Sequence, residues 1–115
     1  MTEKRIALVV NRPPDFYTAE KLRMAVGLTL EDDNRIRVLF IDNGVYSVNG
    51  IEMGKNPSNI EINKSLETLG LLGAELFAHT PSMSKAGVEA HKYKVLPLDG
   101  RGAAGMLQES DVIIS

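Results

Sequence analysis

The sequence contains no cysteine and no tryptophan, and only 5% of its residues are aromatic. Without a thiol there is no disulfide, no thiolate nucleophile, no thiolate metal ligand and no persulfide, since each needs a sulfur that can ionise. The five methionines do not substitute, because a thioether has no proton to lose. Histidine is nearly as scarce. His79 and His91 stand twelve positions apart and lack the close pairing of zinc motifs, so neither a metal nor another cofactor is expected. Excess positive charge is also missing: 13 Lys and Arg against 15 Asp and Glu give a formal net charge of −2, with the cations scattered. That pattern leaves no basic footprint for nucleic acid. Apolar runs such as Ile6-Ala7-Leu8-Val9-Val10 fall far short of the roughly 20 residues of a membrane span. No signal-type region follows Met1-Thr2-Glu3-Lys4-Arg5, so no membrane association is expected.

What is present suits one hydrophobic core spanning 1–115 as a single domain: 43% of the residues are hydrophobic, and no linker, repeat or low-complexity tract divides the chain. Ile6 to Val10 is a continuous β-capable run, closed by Asn11-Arg12-Pro13-Pro14, where two prolines forbid ladder pairing. Thr18 is the expected N-cap of a helix reaching Leu30 and carrying Leu22, Met24, Ala25, Val26 and Leu28. Arg35 to Ile41 reads as a second strand stopped by the turn Asp42-Asn43-Gly44. Ser47 to Asn56 reads as loop. Ser58-Asn59-Ile60-Glu61 has capping-box form, Ile62, Leu66 and Leu69 make one apolar stripe after it, and Gly70 is the expected stop. Glu75 to Ala78 is a third strand, followed by a short helix that runs through Lys85 and ends at Gly87. Lys94-Val95-Leu96 forms a fourth strand, Gly102 to Glu109 a final helix and Val112-Ile113-Ile114 a fifth strand. Strands alternating with helices at this spacing predict an α/β fold, a three-layer α/β/α sandwich with a mostly parallel five-stranded sheet.

In such a sheet the ligand crevice lies beyond the carboxyl ends of the strands. The candidate residues are therefore Asn11 and Arg12 after the first strand, Asp42, Asn43 and Gly44 after the second, and His79, Thr80 and Ser82 after the third. Asp42-Asn43-Gly44 also serves simply as a turn, and Arg12 as a solvated loop charge. Gly100-Arg101-Gly102-Ala103-Ala104-Gly105 matches the dinucleotide fingerprint Gly-x-Gly-x-x-Gly literally. The next strand begins only about six residues later, which leaves no room for the long helix that the motif requires.

Several segments, in their order and spacing, resemble the DsrE/DsrF-like family over essentially the whole chain, and its DsrF (TusC) branch most closely. They are Lys4-Arg5-Ile6-Ala7, Phe40-Ile41-Asp42-Asn43-Gly44-Val45-Tyr46, Leu66-Glu67-Thr68-Leu69-Gly70, Ser82 to Gly87, and Glu109-Ser110-Asp111-Val112-Ile113. The resemblance implies a cytoplasmic subunit of a sulfur-relay oligomer, associating with itself or with homologous DsrE-type subunits. It also implies that the sulfur-carrying cysteine of the DsrE (TusD) branch, eight residues before the glycine that closes the short helix, corresponds to His79 here. An imidazole cannot hold a persulfide sulfur.

Three functions are consistent with these residues. The first is a non-catalytic subunit of a DsrE/DsrF-type oligomer that lacks the persulfide cysteine. The second is a self-associating protein that binds a small metabolite or anion in the crevice near His79. The third is an enzyme using His79 as a general acid or base, for which no partner carboxylate is identifiable. The excess of apolar residues on the helix carrying Leu22, Met24, Val26 and Leu28 places the expected association surface there.

Overall fold

The computed structural model describes residues 3–31, 33–49 and 57–115, with backbone alone at positions 57 and 58. Five strands, β1 (Lys4–Val10), β2 (Asn34–Phe40), β3 (Glu75–His79), β4 (Val95–Leu98) and β5 (Val112–Ile114), form one sheet in the order β4-β3-β2-β1-β5. Every pairing is parallel, and the register sets Leu8 of β1 beside Val38 on one side and Ile114 on the other. Four helices connect the strands: α1 (Phe16–Thr29), α2 (Pro57–Leu71), α3 (Thr80–Ala86) and α4 (Gly100–Glu109), with a 3-10 helix over Asp42–Ser47. Among the described residues no helix is long and apolar enough to cross a membrane.

Handedness explains the layering. The steps from β1 to β2, β3 and β4 all move the same way across the sheet, so right-handed crossovers put their helices on one face. The step from β4 back to β5 moves the opposite way and puts α4 on the other. On the first face Ile6, Leu8, Val10, Ile36, Val38, Phe40, Leu76 and Ala78 pack against Ala19, Leu22 and Ala25 of α1 and Ile62, Leu66 and Leu69 of α2. On the second, Ala7 and Leu39 meet Ala103 and Met106 of α4, with Phe77, Ile41, Leu98 and Leu107 around them. The run Ile6 to Val10 is apolar without alternation because each face of β1 is covered.

The element ends correct the sequence reading in several places. Asp15, not Thr18, caps α1: its Oδ1 accepts from the Thr18 N–H at 2.9 Å, and the Thr18 hydroxyl turns inward to donate to the Pro13 carbonyl. Gly70 does not stop α2, which runs to Leu71. Gly73, at φ 83°, makes the turn while the Ala74 N–H closes back on the Leu69 carbonyl at 3.0 Å. The expected end of α3 at Gly87 agrees with the structure, with φ 69° there and the Val88 N–H bonded to the Met83 carbonyl. β4 extends to Leu98 through Pro97, tolerated because β4 is an edge strand. The capping box at Ser58 and most of the loop read over Ser47 to Asn56 lie outside the described side chains; Asp42-Asn43-Gly44 opens a 3-10 helix rather than a simple turn.

Candidate functional site

The carboxyl ends of the strands carry the candidate residues, but they fall into two groups rather than one crevice. The first group lies beyond β2 and β3. His79 ends β3, and its Nδ1 lies 2.7 Å from the Ser82 hydroxyl one turn into α3. The same hydroxyl accepts from the Asp42 N–H at 2.9 Å. The arrangement that also uses the Ser82 proton has it donating to Nδ1, which places the ring proton on Nε2, on the side where α4 begins at Gly100. This chain of contacts ties three elements together and holds Asp42 in the left-handed region at φ 53°. Asp42, Asn43 and Ser82 line an open cleft of about 380 Å³ with Tyr46, Lys85 and Ala86. Thr80 is not in it; it borders a separate depression with Asn49, Met83 and Gly87.

Gly44 has a different task. A Cβ there would lie 1.8 Å from the Val10 carbonyl oxygen, so only glycine lets the 3-10 helix sit against the end of β1. Its Gly44 N–H donates to the Ile41 carbonyl at 2.9 Å, and the residue is buried rather than presented to a ligand.

The second group lies beyond β1 and β5. A cleft of about 850 Å³ opens there, lined by Asn11, Arg12, Tyr17, Glu20, Lys21, Arg23, Met24 and Ser115. β1 sends its connection to the first face and β5 receives its connection from the second, so this is the switch point of the sheet. Arg12 stacks over the Tyr17 ring at 4.8 Å and pairs with Asp15 at 3.2 Å. Burial raises the Asp15 carboxyl, but the Thr18 N–H and Arg12 outweigh it and leave the group below the usual carboxylate value. Lys21 donates from Nζ to the Val9 carbonyl at 2.9 Å. Its pKa is lowered, first by burial and then by the nearby Arg12 charge, against a smaller opposing pull from Asp15.

Lys21 and Tyr17 were absent from the candidates drawn from strand ends alone. They share a helix face with Met24, at positions i, i+4 and i+7, but only the placement of β5 beside β1 turns that face into the wall of a cleft. The glycine run Gly100 to Gly105 lies in α4. Asp99 caps the helix by accepting from the Gly102 N–H at 2.7 Å, and a Cβ at position 102 would meet Leu98 Cδ2 at 2.9 Å. Gly102 thus serves the tight entry into α4, whereas a Cβ at Gly105 would meet nothing. Among the described residues no group of three or more His, Asp or Glu side chains is placed to hold a metal ion.

No family model matches the chain, and no curated protein does. Among solved structures, the YchN protein from E. coli superposes with a TM-score of 0.82 at 18% sequence identity, over 96% of this chain and 97% of that one. The two proteins share one fold, a five-stranded parallel α/β sheet with helices packed on it.

Proposed function

We propose that this protein is a non-catalytic subunit of a DsrE/DsrF-type sulfur-relay oligomer, of the TusC kind, in which a cysteine-bearing homologue carries the sulfur. The observation that carries the reading is the end of β3. The position that the resemblance assigns to the sulfur-carrying cysteine holds His79, hydrogen-bonded to Ser82, and the chain has no cysteine elsewhere. The fold is the one that the resemblance implies. Exposed apolar side chains supply surface for neighbouring subunits: Leu96 (53% exposed) and Ile113 (50%) flank α4, and Phe16 and Tyr17 open α1.

The helix expected from sequence to carry the association surface, α1, leaves less apolar surface exposed than its composition implies. Of Leu22, Met24, Val26 and Leu28, Leu22 is fully buried, Val26 and Leu28 pack on the core, and only Met24 is exposed. The helix has apolar residues on more than one face because α2 covers it as well as the sheet.

The test is isolation of the native complex from its own cells. A cysteine-bearing subunit of the same fold is expected to co-purify, and after treatment with a persulfide donor the added mass of roughly 32 Da per sulfur is expected on that subunit and not on this chain. A complex without such a subunit, or a chain that stays monomeric at tens of micromolar with no partner, overturns the assignment.

A further inference from the structure

The cleft at the ends of β1 and β5 concentrates positive charge in a protein whose formal net charge is −2. Its lining carries the side-chain cations Arg12, Lys21 and Arg23 against one side-chain carboxylate, Glu20, with Ser115 beside them. Glu20 reaches Arg23 at 3.6 Å, and Asp15, outside the lining, holds Arg12. Lys21 instead donates to a neutral carbonyl, that of Val9, which leaves two ammonium protons to donate. Its pKa is depressed because water is partly withdrawn and Arg12 stands nearby, so its surroundings disfavour the charge that it carries. A bound anion would offset both effects by direct charge attraction.

The rest of the lining is chemically different. Asn11 brings a neutral amide, and Tyr17 and Met24 form an apolar wall, both largely exposed to the cleft and solvent. A space of about 850 Å³ exceeds what a bare ion needs and lies within the range of small-molecule sites. More than one cation converging on one place favours a dianion over a monoanion.

We propose that this cleft binds a small phosphate monoester, with Lys21 and Arg12 as the charge partners of the phosphate, Asn11 as a neutral donor, and Tyr17 and Met24 against the apolar part of the ester. The site lies apart from His79 and Ser82 and does not depend on the oligomer assignment.

The experiment is NMR titration of the full chain with phenyl phosphate at fixed ionic strength, with inorganic phosphate in parallel. Saturable shifts of the Asn11, Arg12 and Tyr17 amides are expected, together with a rise in the Lys21 pKa on binding. Lys21→Gln is expected to weaken binding about tenfold or more, while Lys21→Arg stays within about threefold of the parent. Lys64→Gln, which removes one exposed charge on α2, leaves affinity unchanged. Phenyl phosphate is expected to bind more tightly than inorganic phosphate. The proposal is overturned by shifts that fail to saturate up to about 10 mM, by binding that Lys21→Gln does not weaken, or by equal loss in Lys64→Gln. Equal affinity for the two probes overturns the ester assignment.

Discussion

The two faces of the sheet are closed by different means. On the first face α1 and α2, with α3 and the 3-10 helix at one end, bury a continuous aliphatic and aromatic layer centred on Leu8, Val38 and Phe40. On the second face a single helix, α4, bridges the sheet through Ala103 and Met106, and Leu96 and Ile113 stay half exposed beside it. Near the middle of that face sits Arg37, a buried residue whose guanidinium Nη1 donates to Glu109 of α4 at 3.0 Å. Its Nε lies 3.7 Å from Glu75, inside ion-pair range but too long for a hydrogen bond, and the atom has no hydrogen-bond partner. Topology accounts for the contrast: three crossovers fall on one face and one on the other. A parallel sheet normally needs cover on both, so the second face depends on small residues for close approach and on charge for position.

Substitutions can break or sharpen that comparison. The largest effect is expected for Gly44→Ala on the first face, where the new methyl would overlap the Val10 carbonyl. A loss of about 3 kcal/mol or more in urea unfolding is expected. A loss below about 1 kcal/mol would mean that the 3-10 helix can back away and that this closure is not rigid. Next comes Leu66→Ala, with an expected cost of about 3–4 kcal/mol from the lost methylenes and the cavity left under α2. Met106→Ala on the second face is expected to cost about 2 kcal/mol, because a face already open at both sides can close in on the gap. Equal costs would mean that the two faces are packed equally tightly.

Arg37→Met should fall within about 1 kcal/mol of the parent, since an apolar side chain of similar length replaces both the ion pair and the desolvation that burying it costs. A loss well beyond that would show α4 to be held mainly by charge. The smallest effect belongs to Asp15, which caps α1. Its carboxyl titrates below the ordinary value of 3.8, so the stability it contributes is present above that pH and is lost as pH falls through the folded value. Asp15→Asn keeps a good cap and removes the charge. It is expected to flatten the decline of stability as pH falls below 3.8, with little change at neutral pH. On the second face Asp111, held low first by the Arg5 N–H, has the same sign of dependence, so the double variant should flatten the acid limb further.

Much of this architecture was legible because burial writes directly into sequence. Ile6 to Val10 declared a buried strand by an apolar run without alternation, Arg35 to Ile41 a second strand by its apolar second half and the turn residues after it, and the stripe Ile62, Leu66 and Leu69 a helix with one buried side. Caps were harder to read. Asp15 and Thr18 are both good N-cap residues, and the choice between them was made by packing, which drew the Thr18 side chain inward. Of the site residues, those at strand ends could be named from the end of each run. Lys21 could not, because its relevance depends on strand order, and the order rests on pairings such as Ile6 with Val112. Arg37 was hidden for a related reason: a charged residue inside a strand reads as solvent-facing until its partner, 72 positions away, is known.

The same wide separations bear on how the chain reaches this state. β1 lies inside the finished sheet only because a three-residue strand pairs along its outer side, where the Arg5 N–H meets an Asp111 carboxylate oxygen across 106 positions. Closing so long a loop costs more entropy than assembling β1, β2 and their connecting helix, so β5 is expected to pair late, and until it does β1 is still an edge. That edge would carry unpaired amides beside Ala7 and Val9 with α4 not yet in place, the kind of surface on which chains pair with one another. Slow amide exchange in β2 with faster exchange in β5 would register this order. The few residues of β5 would then act mainly as a guard, ending the interval in which the central strand can be captured by another molecule.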